Sequence, residues 1–157
     1  MRRVIWYFLY GKVWTMPRAN VYFAHPFFTR GSAEEKEILE ELESRRLVIY
    51  EPFKKEEEIL KSYDVNDYYT RPYWELARRI WTQDMGRIKK SDMMVAWLPE
   101  KSIGTAMEIA IAYEYEKFIQ VISPIKHPSY AIYADQLFES ISDWKNYRIY
   151  KWENYKK

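Results

Sequence analysis

Glu108 lies in the run S-I-G-T-A-M-E, about one turn inside a segment with helical spacing. The positive end of a helix macrodipole favours an ionised carboxylate there by a few tenths to about 1 kcal/mol. An ionised carboxylate is what a covalent nucleophile needs. Either Glu108 is that nucleophile or it decorates a helix start. Gly104 permits a tight turn and the approach of a ligand, Thr105 can cap the helix, and Ser102 stands beside them. Asp92 opens an apolar run, as a strand-start residue or as part of a site. Asp84 is four residues from both Ile80 and Ile88. It is therefore a boundary residue paired with Arg87 or Arg79, or an acid held at a buried face for a reason.

Other reactive groups are few. With no cysteine there is no disulfide, thiolate nucleophile or thiolate metal site. The two histidines, His25 and His127, are far apart in sequence, so no metal site is expected. His25, with Pro26 and Phe27 after it, faces the backbone of a turn or lines a pocket. Arg30, Gly31 and Ser32 precede a helix and can hold a phosphate, but four glycines supply neither G-x-G-x-x-G nor a Walker loop, and no cofactor is expected. Tyr68, Tyr69 and Tyr73 can stack on a base or simply pack.

The elements that must position these groups alternate. Residues 20–24 form a short apolar run stopped by His25-Pro26, and proline disfavours a helical predecessor. Ser32 and Glu35 have capping-box spacing, and Ile38, Leu39 and Leu42 continue a helix to about Arg45. Residues 47–50 predict a second strand and residues 53–70 a surface excursion with one short helix. Pro72 suits a first helical position, and Trp74, Ala77, Trp81, Met85 and Ile88 carry a long amphipathic helix to Lys89 or Lys90. Residues 93–98 are continuously apolar, as in a strand covered on both faces. A helix over 105–117, a strand over 118–122, a helix over 130–141 and a fifth strand over 147–150 complete the pattern. Alternating β and α predicts a flavodoxin-like open parallel sheet, order 2-1-3-4-5, with helices on both faces. Ligands then bind beyond the carboxyl ends of strands one and three, where His25 and the 102–105 run fall.

The bounds agree with one domain. A chain of 157 residues, 48% apolar and 31% charged, can bury one core. Residues 20–150 form the core of that domain, and residues 1–16 are an N-terminal extension that is an added strand, an oligomer contact or an upstream start. A net charge of +2 spread over interleaved acids and bases argues against nucleic acid as a partner. No run suits a membrane span or a signal peptide, so a cytoplasmic protein is expected. Lys, Glu, Ile and Tyr are abundant beside little Asn and Gln, a thermophile-like composition.

Taken together, the sequence resembles the nucleoside 2-deoxyribosyltransferase family. The resemblance rests on V-Y-F-A-H-P-F-F-T at 21–29, D-M-G-R-I at 84–88, S-D-M-M-V-A at 91–96 and G-T-A-M-E-I-A at 104–110, and spans roughly two thirds of the chain. It implies that Glu108 is the nucleophile and that Tyr22 orients it through its hydroxyl. It further implies that Asp84 and Asp92 hold the sugar hydroxyls and the base, and that an asparagine from a neighbouring subunit, Asn146 being the nearest counterpart, completes the site. A homodimer or higher homo-oligomer acting on a deoxynucleoside or deoxynucleotide and a nucleobase follows. The chain departs from the family at Ala110, at Glu116-Lys117 and at His25-Pro26, which points to a different pocket. Three functions stay open: 2-deoxyribose transfer between bases, hydrolysis of 2-deoxynucleoside 5′-monophosphates with Arg30, Ser32 or Ser102 on the phosphate, and silent nucleotide binding.

Overall fold

A computed structural model describes residues 19–52, 70–125 and 127–147. Strand β1 (Asn20–Ala24) stops at His25-Pro26, and a single 3-10 turn (Phe27–Thr29) follows. Gly31 supplies the left-handed backbone, φ 77°, that brings the chain into α1 (Ala33–Ser44). The capping box forms: Ser32 Oγ accepts the Glu35 N–H at 3.1 Å, and the Glu35 carboxylate accepts the N–H of Gly31. After β2 (Val48–Tyr50), α2 (Arg71–Lys90) begins with proline in its first turn. Then come β3 (Met93–Trp97), α3 (Ile103–Glu114), β4 (Phe118–Ile122), α4 (Pro128–Ala131), β5 (Gln136–Phe138) and α5 (Ile141–Asn146).

The five strands are parallel, in the order β2-β1-β3-β4-β5. This is the flavodoxin-like order that the sequence predicts. Strands β1 and β3 are neighbours, with Tyr22 opposite Met94 and Ala24 opposite Ala96. Every residue of β3 is buried, as a strand covered on both faces requires.

Strand alternation then sorts the side chains. Tyr22 and Ala24 join Ile88 of α2, Ile109 and Ala112 of α3 and Tyr130 of α4 on one face. Val21 and Phe23 join Ile38 and Leu42 of α1 and Trp144 of α5 on the other. Tyr22 is thereby committed to the side that α2 and α3 cover.

Three expectations are corrected. The helix predicted over 130–141 is instead the end of α4, then β5, then the start of α5. The fifth strand is therefore β5, not 147–150, of which Tyr147 is a bend and the rest lies outside the described residues. Helix α3 starts two residues before Thr105, and Ser102 is its cap, because Ser102 Oγ accepts the Thr105 N–H at 3.3 Å. The expected N-terminal extension and the short helix within 53–70 also lie outside the described residues. Among the described residues no helix is long and apolar enough to cross a membrane.

Candidate active site

Helix α2 buries Leu76, Ile80, Asp84 and Ile88, a stripe with one residue every four. An aliphatic side chain in such a stripe contributes about 1.5–3 kcal/mol by burial, which Asp84 forgoes. Asp84 is 3% exposed, and its Oδ1 accepts a hydrogen bond from Arg87 Nη1 at 3.0 Å, so of the two arginines the sequence offered, Arg87 pairs with it among the described residues. Helix α3 brings Glu108, 5% exposed, against the same face of β1. There the hydroxyl of Tyr22 donates to Glu108 Oε1 at 2.7 Å.

The electrostatics follow from the burial. Removal from water pushes the Glu108 carboxyl up to about 8; the Tyr22 hydrogen bond pulls it down and the nearby Asp84 charge pushes it further up. Burial, with the Glu108 and Asp84 charges, holds the Tyr22 phenol well above its ordinary range. Tyr22 thus stays a hydrogen-bond donor at any pH at which Glu108 ionises. One carboxyl group stands near neutrality with an oriented donor, and a second, paired with arginine, lies close by.

The rim carries exposed apolar side chains. Phe27 and Phe28 occupy the turn after β1, and Ile103 and Met107 share a face of the first turns of α3. Ser102 Oγ also sits 3.1 Å from Thr105 Oγ1, so both hydroxyls serve the helix start. Gly104 lies within the first turn of α3, where an added Cβ meets nothing within 4 Å. The expected tight turn at Gly104 is therefore corrected to a helical position.

His25 and Pro26 are buried, and His25 is committed to the protein. Its Nδ1 lies 3.0 Å from Thr29 Oγ1 and 3.2 Å from the Pro26 carbonyl, while its Nε2 faces Glu35 at 3.3 Å. Burial lowers its pKa below the ordinary histidine value, against the upward pull of Glu35. His25 is a brace between the Phe27–Phe28 turn and α1, the turn-facing alternative that the sequence offered. Glu35 was legible only as a cap.

One expected residue, Asp92, is not brought to this cluster. Asp92 precedes β3 and so lies at the amino edge of the sheet, opposite the ligand crevice; its exposed carboxylate accepts the Asn20 N–H at 2.8 Å. Asn146 ends α5, exposed, beyond the opposite face of the sheet from Glu108; the expectation for it is a contribution to a neighbouring subunit's site, which its place within one chain does not test. Arg30 and Ser32 stand at the start of α1, with Ser32 serving as its cap. Among the described residues no group of three His, Cys, Asp or Glu side chains is placed to hold a metal.

No family model matches the sequence, and no curated protein is similar to it in sequence. Solved structures are similar in fold. A 2-deoxyribosyltransferase from the psychrotolerant bacterium Bacillus psychrosaccharolyticus is 21% identical, with TM-score 0.62, over 85% of this chain and 95% of its own. A conserved protein from Enterococcus faecalis is 16% identical, with TM-score 0.52, over 82% of this chain and 96% of its own. A CMP N-glycosidase from Clostridium botulinum is 16% identical, with TM-score 0.48, over 80% of this chain and 94% of its own. The chain thus shares its fold with a 2-deoxyribosyltransferase, a representative of the family whose motifs the sequence resembles.

Proposed function

We propose that the protein transfers 2-deoxyribose between nucleobases through a covalent glycosyl-Glu108 intermediate. The observation that carries this reading is the buried Tyr22–Glu108 hydrogen bond beside Asp84. The similarity in fold to a 2-deoxyribosyltransferase supports it. The C1′–N bond breaks with its electron pair going to the base nitrogen, through an oxocarbenium-like state, and a Glu108 oxygen forms the C1′–O ester on the opposite face. The nitrogen of a second base then attacks C1′, loses its proton, and releases Glu108 as a carboxylate. Two inversions give net retention. Water in place of the second base gives hydrolysis.

The test incubates the protein with deoxynucleosides, and separately with their 5′-monophosphates, with and without a second base. Base exchange on nucleosides is the expected result; base release from monophosphates alone would replace transfer with nucleotide hydrolysis, and no reaction with either would leave a binding protein. Trapping with a 2-fluoro-2-deoxy nucleoside should add one pentosyl mass to the peptide holding Glu108, since the fluorine destabilises the oxocarbenium-like state. Glu108→Ala should bind ligand and form no adduct. A label on another residue would move the nucleophile.

A further inference from the structure

We infer that Glu35 and His25 are positioning residues for substrate recognition: one carboxyl group, facing His25 Nε2 at 3.3 Å and accepting the Gly31 N–H, holds the Phe27–Thr29 turn in place as one lip of the crevice. The inference rests on the reading of that crevice as a nucleoside site. The place of the lip follows from the topology. The chain leaves β1 for α1 on one face of the sheet and leaves β3 for α3 on the other, so the two connections part between these neighbouring strands. The gap is the crevice beyond their carboxyl ends. The Phe27–Thr29 turn borders it from β1, and the start of α3, with Ile103 and Met107, borders it from β3.

The lip turns its large apolar side chains outward, since Phe27 and Phe28 are 45% and 60% exposed. Polar groups are buried with it instead: His25, Thr29 and Glu35, each with a partner. The Thr29 hydroxyl donates to the Pro26 carbonyl at 2.6 Å. A carbonyl only accepts, so His25 Nδ1, 3.2 Å from the same carbonyl and 3.0 Å from Thr29 Oγ1, carries a proton and donates to both. Nε2 is left for Glu35, while the ring stacks on Phe23 with centroids 4.8 Å apart. Glu35 is used twice. Its Oε2 accepts the Gly31 N–H, where the chain turns into α1 at φ 77°, and its Oε1 faces His25. A capping glutamate needs only the first contact. The second ties the helix start to the lip. A buried, fully partnered polar link fixes one geometry, so the substrate meets a preformed lip and binding does not bear the cost of ordering it. The sequence showed a capping box and, separately, His25-Pro26 as a departure from the family, but nothing in it joined Glu35 to His25.

The experiment compares the wild type, Glu35→Ala, Glu35→Gln and His25→Phe in two measurements. One is hydrogen exchange over residues 25–32, where the Thr29, Arg30 and Ser32 amides bond within the turn. The other is the steady-state kinetics of base exchange from a deoxynucleoside. Glu35→Ala should speed exchange of these amides about tenfold and raise KM about tenfold, with kcat changed by less than about twofold. Glu35→Gln keeps an acceptor for Gly31 and an amide that can donate to Nε2, and should restore most of both. His25→Phe keeps a ring on Phe23, loses the link, and should behave as Glu35→Ala does; it is the deciding variant should Glu35→Ala not fold. Turn amides that exchange as in the wild type in both variants would leave Glu35 a helix cap and overturn the inference. A loosened turn with KM unchanged, or with kcat and kcat/KM lowered together, would overturn it as well. If the wild type turns over no nucleoside, its Kd for a deoxynucleoside by calorimetry takes the place of KM, so failure of the transfer reading and failure of the brace are separate outcomes.

Discussion

A carboxylate with 5% of its surface exposed is a poor choice for stability and a good one for nucleophilic attack. Because burial raises Glu108 to about 8, kcat/KM of the wild type should climb with pH through that value, as the free enzyme's nucleophile ionises. A profile flat from pH 6 to 9 would rule out Glu108 as the titrating nucleophile. Asp92 offers the contrasting case. Its carboxylate accepts the N–H that opens β1, so Asp92→Ala should cost about 1 kcal/mol in urea denaturation while changing kcat little. The sequence marked Glu108, Tyr22 and Asp84, which the fold brings together, and it marked Asp92 with equal weight. The difference is geometric: Asp92 adjoins the right strand in sequence, but a residue before a parallel strand sits at the edge away from the crevice.

Strand order and most elements were legible because their signals are long: the capping box of α1, the proline and apolar stripe of α2, the unbroken apolar run of β3. The region 130–141 failed because its apolar residues serve both faces of the sheet. Tyr130 packs with Tyr22 and Ile109, whereas Phe138, Ile141 and Trp144 pack with Val21 and Ile38. Read as one periodic series they imitate a helix, and a strand as short as β5 is too brief to show alternation. The cap of α5, where Ser140 Oγ accepts the Asp143 N–H at 3.1 Å, was the overlooked signal. Helix ends carry a further consequence. Arg46 and Glu116 adopt φ of 60° and 53° just past α1 and α3, a conformation that costs a side chain about 1 kcal/mol and glycine almost nothing. Arg46→Gly should therefore raise the melting temperature by about 2–4 °C, as should Glu116→Gly. An unchanged or lowered Tm by calorimetry would mean that contacts of the replaced side chains outweigh the backbone term.

At the scale of the whole molecule, the same buried carboxyl links activity to global stability. The folded-state value of about 8 exceeds the ordinary 4.5, so the contribution of Glu108 is fully present below about pH 4.5, declines above it, and is lost as pH rises through about 8. Over that window the unfolded chain releases the proton that the folded chain retains, so the folded state loses stability by as much as about 1 kcal/mol per pH unit from this group. Glu108→Gln keeps the shape, cannot ionise, and should escape the loss. Its melting temperature should match the wild type near pH 4.5 and exceed it increasingly from pH 5 to 8, with the gap levelling above the folded-state value. The same raised folded-state value sets both limits: wild-type Tm should stop falling, relative to Glu108→Gln, at the pH where kcat/KM stops rising. A Glu108→Gln gap independent of pH would place the ionisation elsewhere and detach the activity limb from this carboxylate.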